Sequence, residues 1–319
     1  MKKKILDSSL LYTLIAIVIG FIVGAILLTA IGVNPGEAYA KLFNGVFSKP
    51  KFFTYSIVYA APLIFTGLSV AFSFRTGVFN IGAEGQYVVG SLAAAVIGIL
   101  CPLPPVIHAI VCLLAAALAG ALWGAIVGVL KVKKGINEVL SYIMFNWIAF
   151  YLSNFVVNLK AIHTDQGAEA SKNILASASI KMPAAVAKLT GCSDVHWGIV
   201  MAIIAAIILW FVMTKTTFGY QLRAVGFSRT AAEYAGISSN RVFLASMSIS
   251  GLLSGLGGAV QLLGMSQRIP QFAAQESYGF QGITVALIGA TNPIGCIFAG
   301  WFYGAMKYGG NKLTVIQVP

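Results

Sequence analysis

Lys215–Arg241, KTTFGYQLRAVGFSRTAAEYAGISSNR, is a polar, basic island between two long uncharged segments, Val195–Thr214 and Val242–Gln267. It carries Lys215, Arg223, Arg229 and Arg241 against Glu233 alone. Each flanking segment has the roughly 20 apolar residues that a helix needs to cross a bilayer. The island therefore marks a place where two spans return to water, and the rest of the chain is read as more of the same. Within it, the Ala/Glu-rich run Thr230–Ala235 favours a short helix and Gly236 is a natural stop. Small residues dominate its middle (Gly219, Ala224, Gly226, Ala231, Ala232, Ala235 and Gly236). They would let another protein's surface approach the backbone closely. A plain solvated tether is the competing reading, but it needs solubility and not glycine-bounded turns.

Hydrophobic residues make up 58% of the 319 and charged residues 9%, with a mean hydropathy of +0.87. Soluble domains carry about a quarter charged residues, so the composition is that of a polytopic membrane protein. The net charge of +12 does not point to nucleic acid, because the basic residues are scattered with no aromatic-interleaved stripe. Cys101, Cys112, Cys192 and Cys296 lack any CxxC spacing and read as small hydrophobes. His163 and His196 are too far apart, and too poorly partnered, to argue for a metal site. The basic start followed by Leu10–Gly32 has a signal-peptide look. Its apolar run is too long and lacks a small-x-small cleavage site, so it reads as a retained first span.

Uncharged stretches of spanning length lie at Leu10–Val33, Phe52–Phe74, Gly85–Leu130, Val139–Leu159, Val195–Thr214, Val242–Gln267 and Ser277–Met306. The third is broken by CPLPP at Cys101–Pro105 and makes two spans with a tight turn. The expected fold is one all-α integral membrane domain over residues 1–319, a polytopic bundle of eight or more helices, some discontinuous. With the N-terminus inside and every segment crossing once, 13 of the 21 Lys and Arg residues fall on the inner side, Lys307 and Lys312 among them. This puts Lys215–Arg241 in the cytoplasm and the longest loop, Lys160–His196, outside. That loop reads either as a connector or as part of a landing surface for another protein.

Two interruptions break the apolar pattern. Phe74–Gln86 contains Gly77, Gly82 and Gly85, each costing a helix about 1 kcal/mol relative to Ala. It also contains Asn80, Glu84 and Gln86, whose hydrogen-bonding groups lipid would not satisfy. Gly279–Gly295 is punctuated by Gln281, Thr284, Thr291, Asn292 and Pro293. Paired breaks in the two halves of a chain point to a transport pathway; close glycine packing between helices is the alternative. Asn137 and Glu138, just after Lys131, Lys133 and Lys134, read either as an N-cap with a favourably placed acid or as a gate. Glu84 is open to a salt bridge with Arg75.

Phe218–Ile237 resembles the cytoplasmic coupling loop of ABC-transporter permeases, in the branch that carries sugars, nucleosides and branched-chain amino acids. GVFNIGAEGQ (Gly77–Gln86), KKGINEVLSYIMFNWIAFYL (Lys133–Leu152) and GFQGITVALIGATNPIG (Gly279–Gly295) resemble the longer permease subunit of nucleoside importers that use a basic-membrane-protein-type lipoprotein. Together they cover most of Phe52–Pro319. The resemblance implies a bacterial inner-membrane permease working by alternating access. It implies, as partners, a second permease subunit, a cytoplasmic ATPase that carries ATP and Mg, an extracytoplasmic solute-binding lipoprotein, and membrane lipid. No cofactor is expected on this chain, which lacks a GxxxxGK[ST] loop. Coupling to the ATPase is implied for Gly219, Leu222, Arg223, Ala224, Gly226, Ala231, Ala232, Glu233, Gly236 and Ile237. For a flat base and a hydroxylated sugar, the path calls for amides, hydroxyls and aromatics: Asn80, Gln86, Asn146, Gln281 and Thr284 supply the first two, with Phe79, Trp147 and Phe280 nearby, and Gly82 and Glu84 join the path as residues of the helix break. Family members continue past a "vP" like Val318-Pro319 into another helix, so the chain is expected to stop before its last span.

Simple sugars are the alternative cargo. An ion-coupled secondary transporter is the alternative machine, opposed by spans whose interiors read as free of Asp and Glu. An intramembrane enzyme finds no HExxH, no GxSxG and no paired carboxylates.

Overall fold

A computed structural model describes residues 9–313 apart from Gln166. Lys2–Lys4, three of the basic residues expected on the inner side, and Val318-Pro319, where the chain is expected to stop before a last span, lie outside the described residues. Within them are thirteen α-helices: α1 Ser9–Ala30, α2 Pro35–Phe47, α3 Pro50–Phe74, α4 Ala83–Leu100, α5 Ile107–Lys134, α6 Glu138–Val157, α7 Ala184–Thr190, α8 Gly198–Lys215, α9 Thr217–Phe227, α10 Arg229–Tyr234, α11 Ser239–Gln261, α12 Tyr278–Ile288 and α13 Pro293–Gly310. Seven of them (α1, α3–α6, α8 and α11, the last extended by a π-turn at Leu262–Ser266) are long and apolar enough to span a membrane.

These seven coincide with the first seven expected spans. The eighth, Ser277–Met306, is not one helix. It is a half-length helix, α12, a tight turn, and a return helix, α13. Gly282 of α12 sits on Thr66 and Gly300 and Gly304 of α13 sit on Ile64 and Ala60, so α12 runs with α3 and α13 runs against it. The return carries Lys307 into the bundle. It carries Lys312 to the end opposite Lys215–Arg241, where its ammonium lies 5.0 Å from the Phe52 ring. Both are expected on the Lys215–Arg241 side, so the charge asymmetry is weaker than the sequence suggests.

Backbone contact holds the centre together. Gly120 and Gly124 of α5 meet Gly251 and Met247 of α11, Gly255 meets Ala116, and Gly90 and Tyr87 of α4 meet Gly255 and Gly258. At each of these glycines a Cβ would overlap the facing backbone, the close approach that small residues permit between membrane helices. By contrast, no residue in the apolar window of α1 is buried, and α2 packs against it, the Tyr39 hydroxyl donating to the Phe21 carbonyl. Helix α2 falls between the first two expected spans. It starts at an Asn34 cap with Pro35 at N1 and buries Ala38, Leu42, Gly45 and Val46, a helical spacing.

Lys160–His196 is not a slack connector. It folds across one end of the bundle, where Leu175 N–H donates to the Gly98 carbonyl and Ile180 N–H to the Leu263 carbonyl. Lys181 pairs with Asp194 at 2.9 Å. Cys112, Cys192 and Cys296 are buried, whereas Cys101 is exposed.

Candidate functional site

The two sequence interruptions meet. Residues 75–82, between α3 and α4, are non-helical and fold into the bundle. Such a backbone needs partners inside the protein, and the neighbouring side chains supply them. Asn146 accepts from Gly85 N–H at 2.8 Å and donates to the Ile81 carbonyl at 3.0 Å. Asn80 donates to Gln86 Oε1 at 2.9 Å and contacts Ser69 and Ser250, while Ser254 donates to Ser69 at 2.9 Å. Thr76 and Ser246 share a 2.7 Å hydrogen bond. Asn80, Gln86 and Asn146 are thus buried and engaged within the chain. The Tyr142 ring lies where a Cβ on Gly82 would be. Phe79 is half-buried against Phe74, with ring centroids 5.3 Å apart.

Helix α12 is held at both ends by the residues at the two ends of this break, Glu84 in the first turn of α4 and Arg75. At its start, the buried Glu84 carboxylate accepts from Ser277 N–H and Gly279 N–H, both at 2.7 Å. At its end, Arg75 Nε donates to the Thr291 carbonyl at 3.3 Å. Acid at a helix N-terminus and base beyond its C-terminus both favour the helix dipole. The salt bridge left open between Glu84 and Arg75 is therefore not formed; each goes to an opposite end of α12. Glu84 stands in the first turn of α4, an acid buried at the start of a helix long enough to span.

Lys307 of α13 completes the cluster, its ammonium 3.5 Å from the Tyr278 ring centroid and 3.2 Å from Gln281 Oε1. Tyr278 stacks on Tyr87 at 5.2 Å. Thr284 and Leu287 lie on the exposed face of α12. Glu276, in the connector before α12, has its carboxyl pushed up to about 7, first by burial and then by the Glu84 charge, with Lys307 opposing. It borders a cavity of about 100 Å³ with Ser91, Ser153, Gln261 and Arg268, room for a few waters and well below the roughly 300 Å³ of a typical small-molecule pocket. Glu276 and Lys307 were missed because each stands in a segment that sequence reading treated as loop.

The polar island forms two helices where one was expected. Thr216 caps α9 through Gly219 N–H at 3.1 Å and Ser228 caps α10 through Ala231 N–H at 3.3 Å. Gly236 adopts φ +80° just past α10, and Ile237 N–H returns to the Ala232 carbonyl. Gly219 and Gly226 do serve close approach, but to this chain: Gly219 faces the Val212 and Met213 carbonyls, and Gly226 the Arg75 carbonyl. Leu222 and Ala232 are buried and Ala224 and Ile237 half-buried, while Arg223, Ala231, Glu233 and Gly236 are exposed. Arg229 holds Glu233 at 3.0 Å and Asn240 at 3.1 Å. Unforeseen were the bare aromatics beside them, Phe227 (95% exposed) and Tyr234 (90%).

Asn137 is an N-cap, accepting from Val139 N–H at 2.9 Å and Leu140 N–H at 3.3 Å. Glu138 pairs with Lys131 at 2.6 Å. Lys131 and Arg229 both lie over the Phe243 ring, at 5.3 and 5.6 Å. The start of α6 is thereby tied to α10 and α11.

Residues 52–317 match the family model described as the permease component of branched-chain amino acid transport systems. The chain is similar to a guanosine ABC transporter permease of Bacillus subtilis, 39% identical over 97% of this chain and 87% of the relative. It is also similar to a nucleoside ABC transporter permease of Lactococcus lactis (35%; 97% and 86%). A glucose ABC transporter permease of Haloferax volcanii is 32% identical over 92% of this chain and 78% of the relative. No solved structure matches.

Proposed function

This chain belongs to the family of permease components of branched-chain amino acid transport systems, and from that premise we propose that it is the membrane permease of an ATP-driven importer of nucleosides. The observation that carries the cargo is the 39% identity to a guanosine permease along nearly the whole chain. Transport, and not a reaction, is the activity of the chain. ATP and Mg act on a separate ATPase below the α9–α10 pair, which places that pair and the N-terminus in the cytoplasm of a bacterial cell. A second permease subunit encloses the path with this one, and a solute-binding lipoprotein delivers cargo over Lys160–His196. The similarity to a second, shorter match among guanosine permease proteins of Bacillus subtilis supports a pair of unlike permeases.

The α12 face bearing Gln281 and Thr284 lines the path in this reading. Asn80, Gln86, Asn146, Gly82 and Glu84 hold the broken backbone behind it, with Phe79 at its edge. Alternating access then consists of moving α12 and its neighbours when the ATPases close.

Uptake of radiolabelled guanosine tests this, in cells carrying the permease with its partner subunits and a control lacking the ATPase Walker lysine. Uptake blocked by unlabelled nucleosides and lost in the control is the expected result. Competition by glucose and not by nucleosides would favour the sugar reading, which the Haloferax relative keeps in play. Uptake that survives the control but collapses with the ion gradient would mean a secondary transporter.

The exposed face of α9–α10 is expected to dock into the ATPase. Phe227→Ala and Arg223→Glu change fully or largely exposed side chains, so stability should stay within about 0.5 kcal/mol. A docking anchor is worth ~2 kcal/mol or more, hence at least tenfold in complex affinity. Co-purification of ATPase with each variant, beside its thermal unfolding curve, measures both; undiminished capture would remove these residues from the interface.

A further inference from the structure

We infer that Arg75 is the positioning residue that carries motion of α9 to the half-helix α12, through the strained turn at Ala290-Thr291. The inference rests on the permease reading above and concerns the route by which the ATPase end reaches the path.

Three contacts make the route continuous. Gly226, on α9, lies against the Arg75 carbonyl so closely that any Cβ would collide with it, and Gly77 rests on the Gly226 backbone at 3.6 Å from where its own Cβ would be. A displacement of α9 therefore displaces residues 75–77 without slack, because backbone in contact with backbone has no side chain to absorb the shift. Thr76 anchors the same residues to Ser246 of α11 at 2.7 Å. From Arg75 the side chain then crosses to the Thr291 carbonyl at 3.3 Å. No carboxylate pairs with Arg75 among the described residues, so its orientation is set by that carbonyl and the C-terminal end of α12.

The receiving turn is itself out of the ordinary. Ala290 and Thr291 adopt φ 51° and 53° in succession. The left-handed region costs an L-residue about 1–2 kcal/mol, and a β-branched residue there is an outlier. The turn is packed tightly, with Gly289 against the backbone of Gly295 and Cys296. Strain held in this way marks elements that switch between arrangements. The far end of α12 is fixed by Glu84, so release or push at Thr291 tilts the half-helix and its exposed Thr284 about that anchor.

The test uses the complete transporter, with both permeases, ATPase and binding protein, in liposomes. It reads nucleoside imported and ATP hydrolysed in the same vesicles. Arg75→Ala is expected to leave ATP hydrolysis within about twofold while import falls about tenfold or more, the scale of a lost charged hydrogen bond. Arg75→Lys, which keeps a donor in reach of Thr291, should recover most of the import. Thr291→Gly keeps the carbonyl and removes the strain, and is expected to lower import per ATP with Arg75 intact. Import and hydrolysis falling together, Lys no better than Ala, or Thr291→Gly with wild-type coupling would each overturn the inference. A wild type that imports sugars and no nucleoside would overturn the cargo reading instead and leave the Arg75 comparison measurable on sugar.

Discussion

Glu84→Gln is expected to cut import about a hundredfold while the protein still reaches the membrane, with a fall in its unfolding midpoint of several degrees. The carboxylate accepts two backbone N–H groups at 2.7 Å at the start of α12. A glutamine has one acceptor oxygen, so its amide N–H₂ would face one of those donors. A buried donor left unsatisfied costs about 1–3 kcal/mol, and loss of the charge also removes the favourable placement of an anion at the N-terminus of α12. The sum, roughly 3 kcal/mol, falls on a helix of 11 residues, too short to hold its conformation alone. Import should drop by two orders of magnitude, since on the proposed path the energy that fixes α12 also fixes the face bearing Gln281 and Thr284. Uptake and differential scanning of the purified permease check the two halves of this expectation. A Glu84→Gln protein with wild-type values in both would show that α12 needs no carboxylate.

That role was half legible in the sequence. Glu84 stood out because it followed Gly82 at a break, and Gly279–Gly295 stood out through Asn292-Pro293 and its glycines. Their meeting was not legible, because the hydrogen bonds join residues 193 and 195 positions apart and nothing in local composition registers a partner so distant. The eighth span failed for a related reason. Averaged over a spanning window, Ser277–Met306 is apolar throughout, and hydropathy cannot distinguish a full crossing from a half-helix that turns and returns. Lys307 looked like a flanking base because a straight helix from Ser277 would have ended before it. Gly219 and Gly226 show another limit: glycine announces that some backbone comes close, but not whose. The helix α2, by contrast, was readable. Asn34-Pro35 followed by Ala38, Leu42 and Gly45 is a cap and an apolar stripe, outweighed by the charges around it.

Gly251→Leu is expected to prevent accumulation of folded protein, the largest loss of stability predicted from any exchange at the central crossing. Gly251 and Gly120 face each other so that a Cβ on either would overlap the other's carbonyl. Overpacking a core costs about 1–3 kcal/mol when side chains can shift, but here the obstacle is backbone on both sides. Helices α5 and α11 must separate instead. Separation would draw Ser250, the neighbour of Gly251, away from Ser69 and Asn80, leaving those polar groups buried without partners. It would also open the Gly90–Gly255 contact one turn along. Gly251→Ala, with one methyl to accommodate, should fold with a lowered midpoint. Gly20→Leu, on α1 where nothing lies within 4 Å of the added carbon, should behave as wild type. Size-exclusion profiles of fluorescently tagged variants order the three directly. A monodisperse Gly251→Leu peak of wild-type height would mean that α11 can leave α5 without cost, and the serine network that holds the 75–82 connector in place would then need another support.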